Sequence, residues 1–159
     1  MSRIDATDAG GANVCAFLDM IAWSEGTTRK IGSDDGYNVI VGGGLFDGYS
    51  DHPRRIIDLP RLGIKSSAAG RYQLLMRYWD AYRKQLKLDD FSPLNQDRVA
   101  IQQLKETRAY TFAQIGDVET AITRCKNIWA SLPGAGYNQH EHRLPDLIAA
   151  YQAAGGGLA

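Results

Sequence analysis

Hydrophobic residues recur at the period of an α-helix in the first part of the chain and again beyond residue 70, but this period is lost in between. The first apolar stripe has members at i, i+4, i+7 and i+11, which predicts an amphipathic helix over about residues 13–25. Gly26 follows as a helix-ending residue. The members of the stripe are Val14, Leu18, Ile21 and Glu25. Helical segments on both sides of a helix-free middle restrict the fold more than any other feature of the sequence.

The second half of the chain predicts four further helices. The same apolar period extends over about residues 70–87, and another helix is expected to open at Ser92 and Pro93, a cap residue followed by a first-turn proline. A third segment covers about residues 117–130, with Asp117 as its cap. The last covers about residues 145–154.

The middle of the chain has the composition of turns and short strands. Residues 34–36 are Asp-Asp-Gly, and the β-branched and aromatic segment 37–41 follows them before the glycines at 42–44. Residues 56–59 form a second candidate strand. We therefore expect an α+β fold that is mainly helical, with a small irregular antiparallel sheet.

Length and composition indicate one globular domain. The chain has 159 residues, of which 44% are hydrophobic, so it can bury a core without disulfide or metal staples. Residues 1–12 are small and polar, and we expect them to be a flexible N-terminal lead-in. Residues 13–159 are expected to form the single domain.

The charge pattern excludes some partners. Eighteen Lys and Arg balance 18 Asp and Glu, so the chain lacks the positive charge that nonspecific nucleic-acid binding needs. The apolar stretch 14–23 contains Asp19, so it is expected neither to span a bilayer nor to act as a signal-peptide core. We expect no nucleic-acid partner, no stable membrane association and a cytoplasmic protein.

The cysteine and histidine residues offer only weak alternatives. Cys15, near the start of the first helix, could act as a nucleophile with His52 or His140 as its base, although no flanking motif supports this. Cys125 lies on an apolar stripe and is expected in the core. Residues 140–142, His-Glu-His, do not have the i, i+4 spacing of a helical zinc site. We therefore expect no metal and no cofactor.

Glu25 is the residue most indicative of chemistry. It continues the apolar stripe, so its carboxyl group is expected to point toward the body of the protein. It also lies at the negative end of the helix dipole and near Trp23, both of which disfavour its ionised form. A carboxylic acid that stays protonated near neutral pH is what glycosidic cleavage requires of a general acid. On spacing alone, an edge position with a solvated carboxylate is the alternative.

Four separated segments, in order and spread over residues 16–155, resemble one known family. They are residues 16–27 (AFLDMIAWSEGT), 37–43 with 49–54 (YNVIVGG and YSDHPR), 69–75 (AGRYQLL) and 127–137 (NIWASLPGAGY). The sequence resembles the lambda-type phage endolysins, which are soluble lytic transglycosylases with a lysozyme-like fold. The resemblance implies that this chain cleaves the β-1,4 bond between N-acetylmuramic acid and N-acetylglucosamine, without a cofactor.

The resemblance also implies roles for individual residues. Glu25 matches the catalytic acid/base of the Trp-Ser-Glu-Gly-Thr segment, and Gln73 matches the glutamine that lines the cleft in lysozyme-like transglycosylases. Two lips over a saccharide groove are expected at residues 54–65 and 131–143. The substrate-binding residues implied are Tyr37, Asn38, Tyr49, Tyr72, Gln73, Tyr137 and Gln139.

Two departures from the family pattern affect the expected mechanism. Asn38 replaces an aspartate and Gly44 replaces a glutamate, so neither position supplies a second carboxylate. A lytic transglycosylase needs only one, whereas a hydrolase needs two. A hydrolytic muramidase remains the alternative if one of four aspartates of this region reaches the site, and so does a saccharide-binding protein without turnover. The four are Asp34, Asp35, Asp47 and Asp51.

The resemblance finally implies a cellular setting. The protein is expected to act as a monomer on peptidoglycan strands. It would stay in the host cytoplasm until a separate membrane-lesion protein releases it to the periplasmic wall.

Overall fold

The computed structural model describes residues 1–137 and 139–159. Its α-helices are α1 (Ala6–Ala9), α2 (Ala12–Ser24), α3 (Met76–Leu86), α4 (Pro93–Glu106), α5 (Tyr110–Ile115), α6 (Val118–Cys125) and α7 (Leu144–Ala153), with a 3-10 helix at Thr27–Arg29. Its strands are β1 (Val39–Ile40), β2 (Gly44–Leu45), β3 (Ile57–Leu59) and β4 (Ile64–Ser66). The predicted α+β class is confirmed.

Helix α2 is the centre of the larger core. Val14, Phe17, Leu18 and Ile21 are all fully buried, against residues of α4, α5, α6 and α7. The sequence predicts that one face of this helix is buried, but the structure buries more than one face, since residues outside the predicted stripe, such as Met20, are also fully buried. A helix that is apolar all round is one surrounded by other elements.

The structure differs from the expectation for residues 1–12. Helix α1 and the residues before it pack on the domain, since Ile4 and Ala9 are buried. The backbone N–H groups of Arg3 and Ile4 donate hydrogen bonds of 2.7 and 2.9 Å to Oδ2 of Asp97 in α4. The small, polar composition of this segment does not indicate that it packs on the domain. Its attachment depends on backbone N–H groups and on a buried carboxylate that is distant in sequence.

Helix boundaries were predicted unevenly. The starts of α4 and α7 agree with the prediction to one residue. Helix α3 begins at Met76 rather than near residue 70, because residues 69–74 form an antiparallel bridge between Ala69 and Leu74. Helix α6 ends at Cys125, short of the predicted end, and α5 was not predicted at all.

The strands form two small antiparallel pairs. Val39 of β1 lies opposite Leu45 of β2, and Ile57 of β3 lies opposite Ser66 of β4. A second, smaller core lies beneath this region, and its fully buried aromatic residues are Trp79 and Phe91. Across the described residues, no helix is both long and apolar enough to cross a membrane.

Candidate active site

The end of α2 places Glu25 between the two cores. Glu25 is the C-terminal cap of this helix, with φ −71° and ψ −9°, and its backbone N–H still donates to the carbonyl of Ile21. Its side chain is only partly exposed. Burial raises the pKa of the Glu25 carboxyl, and hydrogen bonds from Ser131 oppose that effect. The inward position predicted from the helical stripe is therefore consistent with the structure.

Ser131 connects Glu25 to the loop after α6. The hydroxyl of Ser131 donates a 2.5 Å hydrogen bond to Oε1 of Glu25 and lies 2.9 Å from Oγ of Ser24. On the same side, Nε2 of His142 donates to the carbonyl oxygen of Ser24 across 3.0 Å. The His142 ring also lies against Trp23, with 4.6 Å between centroids. Ser131, at one end of the loop 131–142, therefore holds Glu25, and His142, at the other end, holds the neighbouring Ser24.

Two open cavities meet at Glu25. The first, about 330 Å³, lies between the residues after α2 and the β1–β2 turn. The second, about 380 Å³, lies between the β3–β4 hairpin, the start of α3 and the residues after α6. Glu25 and Gln73 line both cavities. Together they form a groove with Glu25 near its middle, and we call it the Glu25 groove.

Gln73 is held in place by its own turn. Its φ of 52° lies in the left-handed region, and its side-chain nitrogen donates to the carbonyl of Gly70 across 2.9 Å. Gly70 has φ 82°, and a Cβ there would lie 2.3 Å from the side chain of Gln96. Only glycine fits at this close approach. The turn therefore presents Gln73 to the groove opposite Glu25.

Both expected lips contribute to the second cavity. From the first lip come Leu59, Leu62 and Ile64 of the β3–β4 hairpin. From the second come Tyr137 and Gln139, as predicted for residues that face the groove. Asn138, between them, lies outside the described residues.

The second lip is braced by a carboxylate of its own. Glu141 accepts backbone hydrogen bonds from Gly134 and Gly136, at 2.8 and 2.9 Å. These bonds lower the pKa of the Glu141 carboxyl. Glu141 therefore stabilises the conformation of the loop.

In the described parts of the chain, no group of three or more His, Cys, Asp and Glu side chains could hold a metal ion.

Two of the predicted substrate-binding tyrosines lie in the interior instead. Tyr37 is 0% and Tyr72 is 4% exposed. Both hydroxyls donate to Oδ1 of Asp97, at 2.8 and 2.6 Å. The resemblance predicts that Tyr37 and Tyr72 contact the substrate, but the buried carboxylate of Asp97 accepts the hydrogen bonds of both phenols. Their expected contact with substrate is not supported by this arrangement.

Asn38 and Tyr49 also serve the loop rather than the groove. Oδ1 of Asn38 accepts the backbone N–H of Asp34 across 2.8 Å, and the Tyr49 hydroxyl donates to Oδ2 of Asp34, also across 2.8 Å. Neither residue lines either cavity at Glu25. Their predicted role as substrate contacts therefore has no counterpart in the walls of the groove.

The four aspartates considered as second carboxylates all lie outside the groove walls. Asp34 pairs with Arg3, and Asp35 pairs with the buried Arg71. Burial acts to raise the pKa of Asp51, but hydrogen bonds from Arg54 and from the indole nitrogen of Trp79 together outweigh it and lower the pKa to about 2. Asp47 is exposed. Among the described residues, Glu25 is the one carboxylate that lines the groove.

The cysteine alternative finds no support at this site. Cys15 lies outside the groove walls, and burial raises the pKa of its thiol, which disfavours the reactive thiolate. His52 is 2% exposed and Nε2 donates to the carbonyl of Leu74 across 2.9 Å. Cys125 is fully buried, as predicted.

Some residues in or beside the groove carry no signal in the sequence. Ser131 is an ordinary serine in a loop, and only the fold brings it within hydrogen-bond distance of a residue 106 positions away. Arg29 and Lys30 line the first cavity but lie in a polar loop that has the composition of a solvated segment. The resemblance to known proteins had marked the loop 131–143 but not Ser131 itself.

Comparison with known proteins places this site in a family. The family model described as Endolysin matches residues 15–158. The chain belongs to the endolysin family. It is 61% identical over 144 residues to the endolysin of Escherichia phage lambda, covering 89% of this chain and 90% of that protein. It is 51% identical over 154 residues to the endolysin of Escherichia phage P2, covering 91% and 93%.

Solved structures agree with this assignment. The lysozyme of bacteriophage lambda complexed with a chitohexasaccharide superposes with a TM-score of 0.90 at 54% identity, with full coverage of both chains. A second structure of lambda lysozyme gives 0.85 at 53% identity, again with full coverage. The predicted lysozyme-like α+β fold and the resemblance to lambda-type endolysins are confirmed. Membership of the endolysin family indicates that this chain is a glycosidic cell-wall enzyme.

Proposed function

We propose that this endolysin is a peptidoglycan lytic transglycosylase that cleaves the β-1,4 bond between N-acetylmuramic acid and N-acetylglucosamine. The observation that carries the proposal is that Glu25 is the one carboxylate among the described groove-lining residues. A hydrolase of the two-carboxylate type needs a partner roughly 5 to 9.5 Å away across the scissile bond. The described residues of the groove walls include no second carboxylate that could be this partner.

One carboxyl group is enough for an intramolecular reaction. Protonated Glu25 donates its proton to the glycosidic oxygen, and the bond from the anomeric carbon of the muramic residue to that oxygen breaks. The 6-hydroxyl oxygen of the same residue then bonds to the anomeric carbon, and its proton returns to the Glu25 carboxylate. The products are a free 4-hydroxyl and a 1,6-anhydro ring, and no water is consumed.

The surroundings of Glu25 suit both halves of this cycle. Burial raises the pKa of the Glu25 carboxyl and so favours the protonated form that the acid step needs. The Ser131 hydroxyl, 2.5 Å from Oε1, stabilises the carboxylate that the acid step leaves behind. Gln73, which also lines both cavities, is proposed to contact the sugars on either side of the bond.

The shape of the groove supports a glycan strand as substrate. The groove extends on both sides of Glu25. It has apolar residues on the β3–β4 hairpin beside polar groups of the second lip. The related lambda lysozyme has been solved with a chitohexasaccharide, itself a β-1,4-linked strand. We propose Tyr137 and Gln139 as contacts to the strand in the second cavity.

Substitutions of acidic residues test the assignment. Glu25→Gln should abolish release of soluble fragments from purified peptidoglycan while the protein still sediments with the wall. Asp47→Asn and Asp34→Asn should each keep most of the activity. Full activity of Glu25→Gln would overturn the proposal, and loss of activity in an aspartate variant that remains folded would favour the hydrolytic muramidase. A wild-type protein that binds walls without any release would indicate a binding protein.

The cellular setting is proposed from family membership. We propose that residues 13–159, with the N-terminal segment packed on them, act as one monomeric catalytic domain. We propose further that this domain is stored in the host cytoplasm and released to the periplasmic peptidoglycan by a separate membrane-lesion protein.

A further inference from the structure

The walls of the Glu25 groove carry positive charge although the whole chain is neutral. Arg29 and Lys30 line the first cavity, and Lys65 and Arg77 line the second. All four side chains are exposed. The formal charge of the chain is zero, with 18 basic and 18 acidic residues, so the groove concentrates cations instead of reflecting a basic protein.

These cations have no ion-pair partner in the part of the chain that the structure describes. The ion pairs of the described residues use other basic groups, and none of the four groove cations has a carboxylate oxygen within 4.0 Å. Lys65 lies directly opposite Asp58 in the β3–β4 pair, so its charge is partly balanced across the strands. Arg29, Lys30 and Arg77 lie outside the strands and have no such cross-strand carboxylate, so they are the charges that remain for a ligand. Asp80, three residues after Arg77 on α3, pairs with Arg54 instead.

Each of the three lies against a neighbouring residue that limits where its charge can point. The Arg29 guanidinium lies 5.3 Å from the ring of Trp23, two residues before Glu25. The Arg77 guanidinium lies 4.8 Å from the ring of Tyr78 at the start of α3. The Lys30 ammonium lies over the β1–β2 turn, 3.5 Å from where a Cβ of Gly43 would be. The Arg29 guanidinium over the Trp23 ring keeps its N–H groups available for a carboxylate. The Arg77 guanidinium donates one N–H to the Tyr78 hydroxyl across 3.3 Å and keeps its other N–H groups available.

We propose that Arg29, Lys30 and Arg77 bind carboxylate groups of the substrate, so that the groove selects acid-bearing glycan strands over neutral ones. The inference rests on the proposed function, because peptidoglycan carries carboxylates on its stem peptides and, where the peptide has been removed, on the lactyl group of muramic acid. The cations lie on both sides of Glu25, which matches a strand whose acidic groups recur along its length. Neutral chitin strands have no such groups.

Binding measurements test the inference separately from catalysis. All proteins carry Glu25→Gln, so that no ligand is cleaved. The groove variant adds Arg29→Gln, Lys30→Gln and Arg77→Gln, and the control adds Lys84→Gln, Lys105→Gln and Arg124→Gln. The control side chains are exposed, have no ion pair and lie outside the groove walls, so both sets change the net charge equally.

Three ligands separate the sources of the carboxylate. They are peptide-bearing strands, strands stripped of peptide by an amidase, and neutral chitohexaose. Exposed ion pairs are each worth about two- to fivefold in affinity, so the groove variant should bind acid-bearing strands about tenfold more weakly. Its affinity for chitohexaose should not change. A loss confined to peptide-bearing strands identifies stem-peptide carboxylates, and a loss on both acidic strands identifies the lactyl group.

Ionic strength gives a second measure. Affinity of the parent for acidic strands should fall as salt rises, and that slope should flatten in the groove variant but not in the control. Equal losses in the groove and control variants, or an equal loss for chitohexaose, would overturn the inference. Product analysis on the unsubstituted enzyme is unaffected by these results, so the proposed function can fail or hold independently.

Discussion

The hydroxyl of Ser131 donates a hydrogen bond to Oε1 of Glu25 across 2.5 Å, and thereby joins the loop after α6 to the end of α2. This contact links the second lip of the groove to Glu25, the one carboxylate among the described residues that line the groove. It also opposes the effect of burial on the Glu25 carboxyl, so it sets the balance between the protonated and ionised forms.

Ser131→Ala should lower kcat/KM by about tenfold, because the carboxylate formed after proton donation loses its hydrogen-bond donor. The pH profile gives the decisive sign. Glu25 must be protonated to act, so kcat/KM falls as pH rises through its pKa. Removing a donor to the ionised form raises that pKa, and the alkaline limb should move to higher pH. Ser131→Thr, which keeps a hydroxyl, should restore the limb; an unmoved limb in the alanine variant would contradict the role.

Glu25→Gln should stabilise the folded protein at neutral and alkaline pH. Because burial raises the folded-state pKa of Glu25, this group favours folding below the ordinary glutamate pKa, and that contribution is lost as pH rises through the raised value. Glutamine behaves as a permanently uncharged carboxyl, so the variant should gain about 1 kcal/mol near pH 8 and nothing near pH 4. Urea unfolding at both pH values measures the difference. Glu119→Gln, at an exposed position, should show no such gain.

Gln73 should affect activity through its side chain rather than its backbone. Gln73→Ala and Gln73→Gly should both lower kcat/KM by at least about tenfold, because both remove the amide from the groove. Stability should separate the two variants, since glycine suits the φ of 52° and alanine does not. If the glycine variant kept full activity, the amide would have no role in binding or catalysis.

Asp97→Asn should destabilise the fold by about 2 to 4 kcal/mol. Oδ1 of Asp97 accepts from the Tyr37 and Tyr72 hydroxyls, and Oδ2 accepts from two backbone N–H groups of the N-terminal segment. In the asparagine variant, one of the two carboxylate oxygens is replaced by an NH2 group. This group cannot accept the hydrogen bonds that the facing O–H or N–H groups donate. Thermal or urea unfolding measures the loss, and Asp89→Asn, at an exposed position, should change stability by less than about 0.5 kcal/mol.

The parts of the fold that the sequence predicted best are those decided by local chemistry. The start of α4 follows from Ser92 and Pro93, and the apolar stripe through Glu25 gave the right inward direction for its carboxyl. Helix α3 was extended too far because the aromatic Tyr72 has helical spacing with the residues that follow it. A positive φ at Gly70 and at Gln73 interrupts that period, and spacing alone does not reveal it.

The parts that were missed depend on partners distant in sequence. Tyr37 and Tyr72 were expected at the groove, but the buried Asp97, 60 and 25 residues away, takes both hydroxyls. The N-terminal segment was expected to be loose because its attachment uses backbone N–H groups, which every residue has. The sequence does not indicate the role of Ser131 either, because its partner Glu25 is 106 residues away and comes close only when α2 and the loop after α6 pack together.

The masses of the muropeptides released from purified peptidoglycan test the central claim most directly. If Glu25 acts alone, the muramic ends will be lighter by one water than reducing ends and will resist borohydride, and Glu25→Gln will release none. Reducing ends that borohydride converts to the alcohol would contradict the account, because they require a water molecule and a second group to activate it.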